Sequence, residues 1–161
     1  MNAKEFVSQI FHQREQGDSS AFFNALAPDL IWTARGRTAV SGTVHGKQVY
    51  IDKIYKPLQA FFAGSTACRV IQILADGNTV IVEFHGETPT TTGVKYFQDY
   101  RWLIRLSEDA KSIRELTGYF DTALVDELLA GAKLNPRHAS LDERANNALA
   151  LGCDERSAIV E

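Results

Sequence analysis

The side chains that could carry chemistry are few and widely spaced along the chain. Cys68 and Cys153 are the only cysteines, and their separation matches neither a metal-binding nor a redox motif. His12, His45 and His138 are scattered, and none has a second ligand at the spacing that zinc sites use. We therefore expect reduced thiols, no metal site and no cofactor.

Two further positions suit acid–base chemistry, and each also has a structural explanation. His85 ends a predicted strand just before Gly86, and an imidazole titrates near neutrality. A histidine at a strand end is also commonly solvent-facing or held by a structural hydrogen bond. Asp121 opens a predicted helix, where aspartate is a favoured N-cap. A capping role and a catalytic role for Asp121 can coexist.

The bulk properties predict one globular domain with a small-molecule rather than a nucleic-acid partner. A chain of 161 residues with 45% hydrophobic and 23% charged residues can bury a sizeable core. The net charge is −3, and no Lys/Arg stripe interleaved with aromatics is present. No apolar run approaches the roughly 18 residues of a membrane span, and no signal-length apolar stretch opens the chain. We expect a cytoplasmic protein.

Hydrophobic spacing predicts three helices in the first part of the chain. Residues 3–15 carry an apolar stripe at helical spacing. A short second helix follows, with Asp18 or Ser19 as its N-cap. Residues 47–63 form a longer amphipathic helix, in which Pro57 is expected to cause a kink or break because proline lacks a backbone donor.

The rest of the core is predicted to be a sheet. Asp76-Gly77-Asn78 is a tight-turn signal between two Val- and Ile-rich runs. The predicted strands are residues 30–34, 67–74, 79–85, 94–106 and 113–120, and a last helix spans 121–129. This order indicates an α+β domain over residues 1–131, with helices on one face of a curved antiparallel sheet. Residues 132–161 are expected to be an extension with one short helix.

Three stretches of the chain resemble the SnoaL-like branch of the NTF2-like superfamily, which has the ketosteroid-isomerase or cystatin-like fold. The first runs from Asp29-Leu30-Ile31-Trp32 to His45-Gly46-Lys47, the second is Asp76-Gly77-Asn78 with Val80-Ile81-Val82-Glu83, and the third runs from Gly93-Val94-Lys95-Tyr96 to Tyr119-Phe120-Asp121. The resemblance spans about residues 5–130. It implies a cone-shaped half-barrel packed on three N-terminal helices.

The resemblance also implies a deep pocket for a small hydrophobic molecule and a homodimer formed through the opposite face of the sheet. Alternation along the long strand fits both, because neither of its faces is fully polar. The side chains expected to line the pocket are Trp32, Tyr55, Tyr96, Gln98, Tyr100, Trp102, Tyr119 and Phe120.

The catalytic residues of characterised relatives are only partly present. Ketosteroid isomerases resemble this chain in length and order, but their base and two donors fall at about Ala34, Ile10 and Trp102, so that chemistry is not expected. The epoxide hydrolases of this fold use Asp, Arg and Asp, which correspond to Glu83 and His85 together with Asp121. The SnoaL polyketide cyclases use one aspartate as acid and base, and Asp121 matches it.

Three hypotheses about function follow from the resemblance. The leading one is a cofactor-independent isomerase, cyclase or dehydratase that uses Asp121, with His85 or Glu83, on a small carbonyl or hydroxy compound. The alternatives are a non-catalytic domain that binds a hydrophobic ligand, and a hydrolase with an altered triad. The alternation leaves one question open: if Val80, Val82 and Phe84 face the pocket, Glu83 and His85 face away from it.

Overall fold

A computed structural model describes residues 1–93 and 95–131 and, for Lys95, the backbone alone. The extension predicted at residues 132–161 lies outside the described residues. The elements in chain order are α1 (Ala3–Glu15), α2 (Ser20–Ala25), β1 (Leu26–Ala34), β2 (Gly42–His45), α3 (Lys47–Tyr50), a π-helical segment (Ile51–Tyr55), α4 (Lys56–Gln59), β3 (Ala67–Asp76), β4 (Thr79–Pro89), β5 (Lys95–Leu106), β6 (Ile113–Tyr119) and α5 (Thr122–Leu129).

Helix α1 begins at a capping box and buries one side. The Asn2 side chain accepts from the Glu5 backbone N–H, and the Glu5 carboxylate accepts from the Asn2 backbone N–H, both at 2.9 Å. These two bonds satisfy backbone donors that a helix start leaves unpaired. Val7, Ile10 and Phe11 are buried on the face that the apolar spacing predicted.

The long helix predicted at residues 47–63 is interrupted, and it ends earlier than expected. α3 passes into the π-helical segment before α4 begins, and α4 ends at Gln59. Pro57 lies in the first turn of α4, where a missing backbone N–H costs least. The irregularity therefore precedes the proline, and a widened turn joins two short regular ones.

The sheet has six strands in the order β2-β1-β6-β5-β4-β3 and is curved and open. The predicted α+β class is confirmed, with one difference: β1 and β6 pair parallel, while the other pairs are antiparallel. A parallel pair needs a long crossover, and the chain between β1 and β6 supplies one. Strand β2, which is short and largely exposed, was not among the strands predicted from the sequence.

The core lies between the helices and one face of this sheet. Along β4, Val80, Val82 and Phe84 are buried, while Ile81, Glu83 and His85 are exposed or partly exposed. Ile104 on β5 and Leu116 on β6 face the same way as Val82 and are fully buried. The concave face is therefore the apolar one. No helix among the described residues is long and apolar enough to cross a membrane.

Asp121 connects the end of β6 to α5 as the N-cap of that helix. Its exposed carboxylate Oδ1 accepts the Leu124 backbone N–H at 3.1 Å. The negative charge at this position also complements the positive end of the helix dipole. The bond holds the start of a helix whose Leu124, Val125 and Leu128 are buried.

We predict that Asp121→Ala lowers the free energy of unfolding by about 1 kcal/mol, because the orphan N–H at the helix start loses its acceptor. Asp121→Asn keeps an acceptor oxygen and is the matched control, with a smaller loss expected. Urea unfolding followed by circular dichroism measures both. An asparagine variant as unstable as the alanine variant would contradict the capping role of the oxygen.

Candidate functional site

A cavity of about 590 Å³ lies between the concave face of the sheet and the helices. Its wall takes residues from α1, α2, β1, the segment from α3 to α4, β4, β5 and α5. About half of the lining residues are aromatic. The elements therefore enclose a space that is lined about half by aromatic rings, while polar side chains make up much of the rest.

One wall of the cavity is a group of rings from β4, from β5 and from the residue after β6. Phe84 stacks on Tyr100, with ring centroids 4.9 Å apart and planes 9° from parallel. Trp102 meets Phe84 edge-on at 5.0 Å, and Phe120 lies 5.8 Å from Tyr100. Such contacts stabilise an aromatic cluster beyond the area that it buries, so this wall is a rigid surface.

Two glycines make room for these rings. A Cβ at Gly86 would lie 2.9 Å from Cε2 of Tyr100, and a Cβ at Gly118 would lie 2.9 Å from Cε1 of Phe120. Real Cβ atoms essentially never approach so closely. The tyrosine and phenylalanine rings therefore occupy the space that side chains at these two positions would fill.

A chain of hydrogen bonds leads from the cap of α5 to the cavity. The Asp121 backbone N–H donates to Oε1 of Gln98 at 2.6 Å, and Nε2 of Gln98 donates to the Tyr96 hydroxyl. The Tyr100 hydroxyl donates to that of Tyr96 at 3.4 Å. Burial raises the pKa of Tyr96 well above its usual value and also raises the pKa of Tyr100, so both phenols stay protonated as donors.

Arg14 of α1 is the only charged residue among the described residues that line the cavity. Its guanidinium carbon lies 4.9 Å from the ring centroid of Phe22, 5.3 Å from that of Trp102 and 5.7 Å from that of Phe11. Burial raises the pKa of Tyr50 to about 12, and the Arg14 charge opposes that rise. The polar points of the cavity are thus a cation and several hydroxyls.

Glu83 and His85, predicted as catalytic, lie on the opposite face of the sheet. Their neighbours Val82 and Phe84 are buried on the cavity side, and alternation turns every second residue away. Oε1 of Glu83 accepts from Arg101 at 2.7 Å, and Nδ1 of His85 lies 2.8 Å from Oδ1 of Asp99. Hydrogen bonds from Gln72 and Arg101 lower the pKa of Glu83.

The structure does not bring the three predicted catalytic residues together. Glu83 and His85 are on the outer face of the sheet, and Asp121 caps α5 with an exposed side chain that does not line the cavity. The expected grouping of these residues around one pocket is therefore wrong. The hydrolase hypothesis needs the same three residues at one site, so the structure does not support it either.

Most of the predicted lining residues do face the cavity, namely Trp32, Tyr55, Tyr96, Tyr100, Trp102 and Phe120. Gln98 is buried, but its amide bonds Tyr96 and the Asp121 backbone and does not line the cavity. Tyr119 is 48% exposed on the outer face, opposite Arg101. The reason is alternation along β6: Gly118 faces inwards, so Tyr119 faces outwards.

Sequence reasoning missed Arg14 and Tyr50. A signal for Arg14 was present, because it follows Ile10 by four positions and Phe11 by three, and so shares the apolar stripe of its helix. A basic residue on a buried stripe is unusual. Tyr50 carried no signal apart from its place in an amphipathic helix. Within the described ranges, no group of His, Cys, Asp or Glu could hold a metal ion.

Solved structures with the same fold are numerous. An NTF2-like protein from Burkholderia thailandensis is 18% identical, with a TM-score of 0.64 over 80% of this chain and 98% of that one. A putative SnoaL-like polyketide cyclase from Jannaschia sp. is 13% identical, with a TM-score of 0.61 over 81% and 93%. PrhC from Penicillium brasilianum is 10% identical, with a TM-score of 0.64 over 78% and 87%. At identities this low, the likeness shows a shared fold and nothing about function.

Sequence comparison is more specific about the family. A search among functionally curated proteins finds no match for the chain. The model of the SnoaL-like domain matches residues 7–115, which is more than half of the 161 residues. That match covers most of α1 and most of the sheet, including β1, β4 and β5 of the cavity wall. The chain therefore belongs to the SnoaL-like domain family.

Proposed function

We propose that this protein binds a small, largely aromatic molecule in the cavity between the sheet and the helices. The ring-lined wall carries this proposal. A volume of about 590 Å³ falls within the range of small-molecule sites, which are mostly apolar with a few placed polar groups. Tyr100, Trp102 and Phe120 offer flat faces for an aromatic ligand.

Binding is a better-supported function than acid–base catalysis by a carboxylate. No Asp, Glu or His belongs to the described residues that line the cavity. The buried Tyr96 and Tyr100 have raised pKa values, so they donate hydrogen bonds and do not act as bases near neutral pH. Such a wall can orient a ligand, but it offers no side chain to accept a proton from that ligand.

We predict that 2-acetylnaphthalene, a neutral aromatic ketone, binds and quenches the intrinsic fluorescence, because both tryptophans line the cavity. Leu58→Trp fills cavity space and should weaken binding at least about tenfold, since overpacking excludes the ligand. Leu74→Trp, at a position 53% exposed on the outer face, is the matched control. Calorimetry compares the two variants, and equal affinities would contradict binding in the cavity.

Enolisation of a ligand already acidified by conjugation is a second candidate function. The observation that favours it is the hydrogen-bonded chain from Asp121 through Gln98 and Tyr96 to Tyr100. Protonated phenols in a water-poor wall can stabilise a developing enolate oxygen, and the proton lost from carbon would pass to water. The likeness in fold to a putative polyketide cyclase agrees with such chemistry.

We predict that the protein accelerates deuterium incorporation beside the carbonyl of 2-tetralone in D₂O, measured by proton NMR. Tyr96→Phe should reduce the protein-dependent rate by about 100-fold, the usual effect of removing an oxyanion donor, because the Tyr96 hydroxyl accepts from Gln98 and Tyr100 and keeps its own O–H to donate. Tyr119→Phe, at an exposed outer position, is the control and should keep the rate. A wild-type rate equal to that of buffer would remove this candidate.

We also propose that two copies of the chain associate through the outer face of the sheet. Leu74, Ile81 and Leu103 form a row across β3, β4 and β5 in register, and the first two are 53% and 40% exposed. Charged pairs from β4 to β5 lie beside this row. An exposed apolar row with a polar border suits a two-fold interface, in which the same surface serves both copies.

We predict that the wild-type protein sediments as a dimer and that Ile81→Glu converts it to a monomer, because a carboxylate would be buried without a partner. Val49→Glu is the matched control, because Val49 is 36% exposed, close to the 40% of Ile81, but belongs to α3. Sedimentation velocity distinguishes the two states. A monomeric wild-type protein, or a dimer unaffected by Ile81→Glu, would contradict this interface.

A further inference from the structure

Arg14 is the feature that the proposed function leaves unexplained. Its guanidinium is surrounded by the rings of Phe11, Phe22 and Trp102, and its Nε is buried with no hydrogen-bond partner in the described part of the chain. Burial raises the pKa of the neighbouring Cys68 thiol, and the Arg14 charge opposes that rise. A guanidinium has five N–H donors, so most of its capacity is directed at no strong acceptor.

No described carboxylate neutralises this charge. The ion pairs of the described residues join other side chains, on the outer face of the sheet and on the surface. Oε1 of the neighbouring Glu15 accepts from the Val70 backbone N–H at 2.7 Å. A partly buried cation without a counterion is costly, and contacts with ring faces offset only part of that cost.

We propose that the ligand carries an oxyanion conjugated to its ring system, and that Arg14 binds this oxyanion. The inference rests on the proposed function, since it names the chemical class of molecule that the cavity takes. A carboxylate and the enolate of an acidic dicarbonyl share this chemistry. Either one would present two oxygens to the planar fork of a guanidinium, while its rings would contact Phe84, Tyr100 and Trp102.

The hydroxyls of the cavity support the same ligand class. Tyr50 and Tyr100 both line the cavity, and both are close enough to Arg14 for its charge to lower their pKa values against the effect of burial. Protonated phenols donate hydrogen bonds to an anion and repel no negative charge. The phenols of Tyr50 and Tyr100 and the guanidinium of Arg14 therefore form a group of donors around one cation, which complements an oxyanion on an aromatic ligand.

The test compares two probes with the same rings, 2-naphthoate and neutral 2-acetylnaphthalene, by calorimetry at one ionic strength. The wild-type protein should bind 2-naphthoate at least about tenfold more tightly, as expected for a charge-assisted bidentate pair. Arg14→Met should abolish this preference and retain binding of the ketone. Arg14→Lys should keep part of the preference because the charge remains.

Arg69→Met is the matched control, because it removes the same charge from an exposed position of β3 paired with His85 on the outer face. It should leave the preference unchanged. In the wild-type protein, the Nε–H resonance of Arg14 should shift when 2-naphthoate is added and stay in place with the ketone. This NMR signature does not depend on whether the Arg14 variants fold.

The outcomes separate this inference from the proposed function. Equal affinities for the two probes in the wild-type protein, or a preference that survives Arg14→Met, would overturn the anion site while binding in the cavity stands. If Arg69→Met lost the preference for 2-naphthoate as fully as Arg14→Met does, the preference would result from the overall charge of the protein. That result would also overturn the anion site. Failure of both probes to bind would remove the proposed function, and this inference with it.

Discussion

The pairing of β4 with β5 is the constraint on which the rest of the structure depends. The two strands are in register from Thr79 opposite Arg105 to Pro89 opposite Lys95. Because side chains alternate, a slip by one residue would exchange the two faces of the sheet. The contact of Phe84 with Tyr100 and Trp102 exists in one register only, so burial of these rings selects that register.

This register separates two kinds of polar chemistry. Glu83, His85, Asp99 and Arg101 form pairs between the strands on the outer face, where exposed charges contribute little to stability. Inside, the wall holds rings, phenols and one guanidinium. The same two strands therefore supply the titrating side chains to one surface and the hydrogen-bond donors to the other. A mechanism that needs both kinds at one point is incompatible with this sheet.

The sequence was sufficient for most of the elements and for the α+β class, because helix caps and apolar spacing are local signals. It missed the short strand β2 and the interruption of the helix predicted at residues 47–63. The face of β4 was left open, because the apolar set Val80, Val82 and Phe84 favoured one orientation and the resemblance, which assigned Glu83 and His85 to the site, favoured the other. The parallel pairing of β1 with β6 was missed because it joins segments far apart in the chain. Pairing over such distances leaves no local pattern in the residues.

Prediction from the sequence was limited in the same way for single residues of the candidate site. Aromatic side chains on β5 were expected in the wall because alternation places Tyr96, Tyr100 and Trp102 on one face. The resemblance implied a catalytic role for Asp121. In the structure, its carboxylate caps the N-terminus of α5. Arg14 was missed because an amphipathic helix is recognised from its apolar positions. One basic residue among them does not change that pattern.

Two glycines of the sheet allow two rings of the cavity wall to pack closely against the backbone. Gly86 on β4 and Gly118 on β6 leave space into which the rings of Tyr100 and Phe120 extend along the sheet. A larger residue at either position would push its ring outwards, towards the helices, and into the volume that a ligand would fill. Phe120 also directly precedes Asp121, so the end of β6 sets the position of this ring and of the helix cap together. The position of one ring of the cavity wall and the start of α5 therefore depend on one short segment, residues 118–121.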